Sequence, residues 1–223
     1  NFYYKQGQLS NLFEDDPFEH RLFSIYQALE GNCYELLSAV SGKRKTAGMF
    51  HVMMLPQILE VVESVIGVEI LVHPQFNARA KLPDGRSVVP WHQDLGYLDT
   101  DAEDTFMVNF WLPLVDATVE NGCLEVIRGS HNYGIVPYKN GAEDLVPELI
   151  PDGEIVCCPI RVGSVLLIQH KTVHRSTPNF SDHIRWSLDI RYSDPRLPTG
   201  RDSVSGFIAR SVENPELIAK SHH

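Results

Sequence analysis

The stretch VPWHQDLGYLD, residues 89–99, contains a histidine and an aspartate two positions apart, His92 and Asp94. In an extended strand, side chains at positions i and i+2 project from the same face. The two residues are therefore either a polar pair on the protein surface or two of the ligands of a metal ion. A third ligand elsewhere in the chain would favour the metal site. Its position would also indicate the kind of fold that contains these residues.

Composition limits the classes of function. The chain has 223 residues, of which 43% are hydrophobic and 22% charged, as in an ordinary globular domain. No run approaches the roughly 18 apolar residues of a membrane span. The net charge of −10 would repel nucleic-acid phosphates. We therefore expect a protein that binds neither nucleic acid nor a membrane.

The cysteine pattern indicates the redox state of the cellular compartment. Cys33, Cys123, Cys157 and Cys158 form no CxxC motif, and two of them are adjacent. This pattern fits neither a disulfide framework nor a zinc ribbon. We expect free, buried thiols and a reducing, cytoplasmic location.

The pattern of apolar residues divides the chain into two parts. Residues 18–40 and 55–67 carry apolar residues at three- and four-residue spacings, which predicts helices, the second beginning near Pro56 and ending at Gly67. From Glu69 onward, eight short β-branched and aromatic runs alternate with turn residues, and no long helix separates them. This pattern predicts a mainly β fold with flanking helices, an antiparallel jelly roll of the cupin-like kind.

We expect a single domain over residues 1–223. Its parts are a helical preface (1–68), a jelly-roll catalytic core (69–195) and a C-terminal tail (196–223) with a short helix in SVENPELIAK, residues 211–220. Residues 221–223, Ser-His-His, resemble the remnant of an affinity tag, so these two histidines are left out of the ligand search.

Four histidines are candidates for the third ligand: His131, His170, His174 and His183. The first lies in a turn and the last in a polar loop, while the other two flank the end of an apolar strand. His174 is favoured because Arg185 follows eleven residues later, beyond a loop. If these two residues begin adjacent antiparallel strands, both face the same cavity.

This residue set has a specific chemistry. Two histidines and one carboxylate on one face of a metal leave three positions open, as in the facial triad of non-haem Fe(II) oxygenases. An arginine in the same barrel offers a planar fork to a carboxylate. The set predicts a co-substrate with a carboxylate at one end and a metal-chelating group at the other.

The strand-rich part, about residues 69–195, resembles the phytanoyl-CoA dioxygenase family of Fe(II)/2-oxoglutarate-dependent oxygenases. The resemblance rests on His92-Gln93-Asp94, on Asn121-Gly122-Cys123-Leu124 continuing to Gly129-Ser130-His131, and on His174, Ser176 and Arg185.

The resemblance implies a double-stranded β-helix with helices packed outside. It implies Fe(II) bound by the catalytic residues His92, Asp94 and His174, with 2-oxoglutarate chelating the iron. The 5-carboxylate of 2-oxoglutarate would pair with Arg185, assisted by Ser176. With O2, the expected products are a hydroxylated metabolite, succinate and CO2, and ascorbate is expected to help in vitro.

Four more residues are weaker candidates for the co-substrate or substrate site. Trp111 lies on a segment expected to run beside the strand of His92, and Asn109 shares its face. Gln75 and Asn77 lie on the first predicted barrel strand. Each of these residues could equally be part of the core or of the cavity wall. The acidic segment DLGYLDTDAED, residues 94–104, is either a solvated loop or a flap over the substrate.

Three alternatives remain open. Relatives that lack the aspartate halogenate, so Asp94 favours hydroxylation. A zinc hydrolase would use the same three ligands, and a non-catalytic jelly-roll domain would bind a ligand without reaction.

The only tight basic cluster in the sequence is Lys43-Arg44-Lys45. This speaks against an acyl-CoA substrate, because the phosphates of CoA need a larger basic patch.

Overall fold

In the described part of the chain after residue 69, the β-branched and aromatic runs form ten strands arranged in two antiparallel sheets. We describe a computed structural model that covers residues 2–30, 45–139 and 144–220. The strands are β1 (Ile70–Val72), β2 (Asn77–Lys81), β3 (Val89–His92), β4 (Met107–Pro113), β5 (Leu124–Ile127), β6 (Ile155–Cys158), β7 (Leu166–Gln169), β8 (His174–Ser176), β9 (Arg185–Ser193) and β10 (Phe207–Arg210).

The two sheets are unequal. The larger sheet has the order β10–β1–β9–β4–β7, with β2 also paired to β9, and the smaller sheet has the order β3–β8–β5–β6. The non-consecutive neighbours show that the chain crosses repeatedly from one sheet to the other. The expected jelly roll with flanking helices is therefore confirmed.

Four helices lie in the described part of the first 68 residues: α1 (Phe2–Lys5), α2 (Phe18–Ala28), α3 (Ala47–Met53) and α4 (Pro56–Ile66). The side chain of Thr46 accepts a hydrogen bond from the main-chain N–H of Met49 and caps α3. Helix α4 has the predicted bounds, with Pro56 in its first turn and Gly67, at φ 97°, after its last. Residues 31–40, the second part of the first predicted helix, lie outside the described residues.

The larger sheet has two chemically different faces. On one face, Phe110 of β4 and Ile190 and Tyr192 of β9 pack against Leu59 and Val62 of α4 in the main apolar core. On the other face, the alternate residues of the same strands line a space between the sheets. The helices therefore stabilise one side of the sheet, and the other side is left free for polar groups.

Two details of the sequence-based description are wrong. The segment from Glu69 to Leu82 forms two strands, not one, because it turns at Pro74, which has no N–H for a ladder. The segment SVENPELIAK, residues 211–220, has a 3-10 turn at Pro215–Leu217 where a helix was expected, and β10, which also lies in the tail, pairs with β1, so the sheet continues beyond residue 195. The assignment of residues 1–223 to a single domain stays a prediction.

The expectation of buried thiols is also wrong in part. Cys123 is buried and Cys158 half-buried, but Cys157 is exposed. The reason is that β6 is the edge strand of the smaller sheet, where successive side chains point to opposite faces. Cys33, like Lys43, Arg44 and the residues 221–223, lies outside the described residues.

In the ranges that the structure describes, no single helix is long and apolar enough to cross a bilayer. Helices α3 and α4 meet that criterion only as a pair, with a bend of 46° between them.

The core between α4 and the larger sheet can be tested with a matched pair of substitutions. Val62 is 0% exposed and its neighbour Val61 is 40% exposed. We expect Val62→Ala to lower the free energy of unfolding by about 2 kcal/mol, because it removes buried methyl groups and leaves a cavity. Val61→Ala should change it by no more than about 0.5 kcal/mol. Urea denaturation followed by circular dichroism measures both, and equal effects would contradict this packing.

Candidate metal centre

The register of β3 and β8 brings two histidines together. His92 and His174 are directly opposite each other in this antiparallel pair, and their ring centroids are 4.1 Å apart. The chain leaves β3 at Gln93, and Asp94 begins a 3-10 turn over Asp94–Tyr97. Its carboxylate lies 4.0 Å from Nε2 of His92 and 3.9 Å from Nε2 of His174. The three buried side chains place their ligand atoms within 4.8 Å of one another.

Both imidazoles are oriented in the same way. Nδ1 of His92 lies 2.8 Å from the carbonyl oxygen of Pro90, and Nδ1 of His174 lies 2.9 Å from that of Thr172. Because a carbonyl only accepts, each Nδ1 carries the proton and each Nε2 keeps a free lone pair. Metal-binding histidines are held by such a hydrogen bond from the nitrogen that does not bind the metal. The donor set fits a site of two histidines and one carboxylate.

The electrostatics favour the protonation states that a metal requires. Burial, and then the neighbouring His174, lower the pKa of His92 to about 3. Burial acts to raise the pKa of Asp94. The positive charge of Arg191, and then the neighbouring imidazoles of His174 and His92, outweigh this effect and hold the pKa below its usual range. At neutral pH His92 is therefore neutral and Asp94 is a carboxylate, as metal ligands must be.

Two residues of the larger sheet hold the carboxylate in place. The amide of Asn109 on β4 and the guanidinium of Arg191 on β9 both donate hydrogen bonds to Asp94. Asn109 lines the cavity, as expected for a site residue, but its amide is directed at Asp94. Sequence reasoning missed Arg191, although the alternation of polar residues along RWSLDIRYS, residues 185–193, is a signal for an inward polar face.

A cavity of about 230 Å³ lies between the sheets and extends from the three ligands to Arg185. Arg191 and Arg185 lie near opposite ends of β9, so the arginine at Asp94 and the predicted carboxylate anchor are well separated. Ser176 and Trp111 also line this cavity. Two of the supporting inferences were wrong: β8 and β9 belong to different sheets, and β4 does not run beside β3. These residues meet because the two sheets face each other.

Arg185 is buried without an acidic partner. It is 2% exposed, it donates from Nη1 to Oγ of Ser187 at 2.7 Å, and it lies over the ring of Trp111 at 5.0 Å. No carboxylate of the described residues lies within 4.0 Å of it, and its Nε has no hydrogen-bond partner there. Burial lowers its pKa to about 10, against the opposing effect of Asp189. A buried guanidinium without a partner is costly, so the position fits a bound carboxylate.

The remaining predicted residues lie in different places. Ser176 is buried, and its Oγ accepts a hydrogen bond from the N–H of Val89 at 3.0 Å. Gln75 and Asn77 are not among the described residues that line the cavity. The main-chain oxygen of Gln75 accepts a hydrogen bond from Nη1 of Arg191 at 3.3 Å, and β2 begins only after this residue.

The three rejected histidines have other partners or positions. His131 is exposed, and Nδ1 of His170 contacts the main chain of Met107 at 3.2 Å. His183 lies beside Asp182 at 2.9 Å. None of the three belongs to the buried cluster of His92, and this supports the choice of His174.

Several motif residues outside the metal centre hold the surrounding loops. Gln93 accepts from the N–H of Val136 and donates to the carbonyls of Gly134 and Lys171. Oγ of Ser130 accepts from the N–H of Val173, the residue before His174, at 2.8 Å. These contacts position the ends of β3 and β8, and therefore the histidines on them.

The metal centre can be tested by binding alone. We expect His174→Ala to abolish tight binding of Mn(II) or Fe(II), because only two of the three ligands remain. The fold should persist. His131→Ala, at an exposed histidine, should bind the metal as the wild type does. Anaerobic calorimetric titration measures the affinities. Metal binding retained in His174→Ala and lost in His131→Ala would mean that a different histidine is the third ligand.

Several known proteins are similar in sequence to this chain. Phytanoyl-CoA dioxygenase domain-containing protein 1 of Rattus norvegicus is 34% identical over 139 residues, which cover 58% of this chain and 47% of that protein. The dioxygenase lolE1 of Epichloe uncinata is 30% identical over 139 residues, covering 60% and 50% of the two chains. The chain spans about half the length of the curated relatives it matches.

A solved structure has the same fold. The apo form of ThoJ, described as a non-heme monooxygenase, superimposes with a TM-score of 0.68 at 24% identity, covering 88% of this chain and 74% of that one. The family model for phytanoyl-CoA dioxygenase (PhyH) matches residues 32–187, well over half of the sequence. This chain belongs to the phytanoyl-CoA dioxygenase family.

Proposed function

We propose that this protein is an Fe(II)- and 2-oxoglutarate-dependent oxygenase that hydroxylates a C–H bond of a small-molecule metabolite and releases succinate and CO2. One observation carries the proposal: a single cavity joins a buried His-Asp-His set to a buried arginine that has no acidic partner among the described residues. A chelating 2-oxo acid with a distal carboxylate has the complementary chemistry at both of its ends.

The roles of the residues follow from their contacts. His92, Asp94 and His174 would bind Fe(II), and Arg185 with Ser176 would bind the 5-carboxylate of 2-oxoglutarate. Bound iron and 2-oxoglutarate, with O2, supply the oxidising power. Asn109 and Arg191 hold Asp94 at one orientation, and Trp111 forms the wall against which Arg185 lies. These side chains are largely buried, which limits the contact of each with water.

The presence of Asp94 supports hydroxylation. A halide ligand would need the position that this carboxylate occupies, and Asp94 is additionally fixed by two donors from the facing sheet. Arg185, which has no acidic partner among the described residues, favours an oxygenase over a zinc hydrolase, because hydrolysis of this kind has no use for a carboxylate anchor. The buried metal-ligand set in the same cavity favours an oxygenase over a domain that only binds a ligand.

Turnover of the co-substrate tests the proposal. We expect the protein to convert 2-oxoglutarate to succinate only with Fe(II) and O2 present, and faster with the correct member of a metabolite panel. Ascorbate should prolong the activity. Zn(II) in place of Fe(II) should give no succinate. Hydrolysis supported by Zn(II), or the absence of succinate release in metal-loaded protein across the panel, would speak against an oxygenase.

The carboxylate anchor can be tested separately. Arg185→Leu should weaken 2-oxoglutarate binding by about two to three powers of ten, because a buried carboxylate loses its charged partner, at a cost of about 3–5 kcal/mol. Metal affinity should not change, since the arginine is not a ligand. The control is Arg128→Leu, an exposed arginine whose side chain is 76% exposed. Unchanged 2-oxoglutarate affinity in Arg185→Leu would assign the anchor to another basic residue.

A further inference from the structure

The cavity contains more positive charge than its own acidic groups balance. Four basic residues line it in the part of the chain that the structure describes: Arg79, Lys81, Arg185 and Arg191. Two have carboxylate partners, because Nε of Arg79 lies 2.6 Å from Asp189 and Arg191 binds Asp94. The other two, Lys81 and Arg185, have no carboxylate within 4.0 Å among those residues.

These two unpaired cations are neighbours. Lys81 at the end of β2 is directly opposite Arg185 at the start of β9 in the antiparallel register. Like charges directly opposite each other in a sheet are destabilising. Burial, and then the charge of Arg185, lower the pKa of Lys81 to about 7. The pair is therefore held together against its own repulsion in the absence of an anion.

Lys81 is buried, not a surface lysine that folds back. It is 5% exposed, and Nζ donates a hydrogen bond to the main-chain oxygen of Ser87. An ammonium group has three donors, so this bond leaves capacity for another acceptor. Burying a charged amine is expensive unless a partner offsets the cost.

The surrounding main chain directs the lysine stem. A Cβ atom on Gly122 would lie 2.7 Å from Cδ of Lys81 and 2.5 Å from the carbonyl oxygen of Thr177. Only glycine, here at φ 85°, therefore leaves room for the stem. Nδ2 of Asn179 donates to the main-chain oxygen of Lys81 at 3.0 Å. The lysine is held along a defined path into the cavity.

We propose that Lys81 is a second binding residue for the distal carboxylate of 2-oxoglutarate and acts together with Arg185 as a two-cation clamp. A carboxylate between the two side chains supplies the missing acceptors and relieves their repulsion. This inference rests on the proposed function, since it assumes the same co-substrate. It implies that the site discriminates strongly against 2-oxo acids that lack the distal carboxylate.

The test compares two ligands by equilibrium binding. 2-Oxoglutarate and 2-oxovalerate share the chelating 2-oxo acid, but only the first has a carboxylate at its far end. We expect Lys81→Met, in Mn(II)-loaded protein without O2, to weaken 2-oxoglutarate about 10- to 100-fold, the range for a charge-assisted hydrogen bond. Binding of 2-oxovalerate should change less than about twofold, and calorimetric titration measures both.

A matched control removes a different lysine. Lys139→Met deletes an exposed lysine whose side chain is 47% exposed, and it should bind both ligands as the wild type does. If Lys81→Met weakens both ligands equally, the lysine supports the fold and the clamp is wrong. If neither ligand is affected, Lys81 does not contact the co-substrate. If the wild-type protein itself fails to bind 2-oxoglutarate, the proposed oxygenase function is wrong, and not only the proposed role of Lys81.

A measurement on the wild-type protein covers the case in which Lys81→Met does not fold. The charged groups near the ammonium are Arg185 on β9, Arg79 on the same strand and Asp84 in the following loop. Arginine and aspartate side chains ordinarily keep their charge between pH 7 and 9. The clamp therefore predicts that the preference for 2-oxoglutarate over 2-oxovalerate decreases as the pH rises through this range and the lysine loses its proton. A constant preference would contradict the clamp.

Discussion

The site depends on the cross-strand pairing of His92 with His174. A shift of one residue in the register of β3 against β8 would turn one imidazole to the opposite face of the smaller sheet. The same pairing explains why Asp94 can complete the set, because the chain turns immediately after the histidine and carries the carboxylate back toward both rings. The hydrogen bonds of Gln93 and Ser130 are made beside this pair, and they hold the strand ends at the register that the metal requires.

The second constraint is the cost of polar groups inside the barrel. Strand β9 carries Arg185, Ser187, Asp189 and Arg191 at alternate positions; three of them line the cavity and Ser187 is fully buried. Such a row is tolerable because the opposite face of the strand contributes Leu188, Ile190 and Tyr192 to the apolar core beneath α3 and α4. One strand thus provides both the packing that stabilises the fold and the charges that bind a ligand.

The charges of the cavity are arranged in order along that strand. At one end Arg191 is neutralised by Asp94, and in the middle Asp189 pairs with Arg79. At the other end Arg185 and Lys81 face each other without an acid among the described residues. A ligand that is anionic at its far end and chelating at its near end matches this sequence of charges. The cavity is therefore prepared for such a ligand before the ligand binds, which reduces the reorganisation that binding would require.

The amino-acid sequence by itself determined the jelly roll, the bounds of α4, and the membership of His92, Asp94, His174 and Arg185 in one site. The first two features follow from local signals, namely period-two alternation and a proline and a glycine at the helix ends. The site residues were identified from their spacing together with the resemblance to a known family. Only the tertiary structure decided that β8 and β9 belong to different sheets, that Gln75 is not among the described residues lining the cavity, and that Cys157 is exposed on an edge strand. It alone also revealed that Arg191 supports Asp94 and that Lys81 lies opposite Arg185 with no carboxylate partner among the described residues. The physical reason is that charge pairing and burial depend on distances between strands far apart in the chain, which no local pattern encodes.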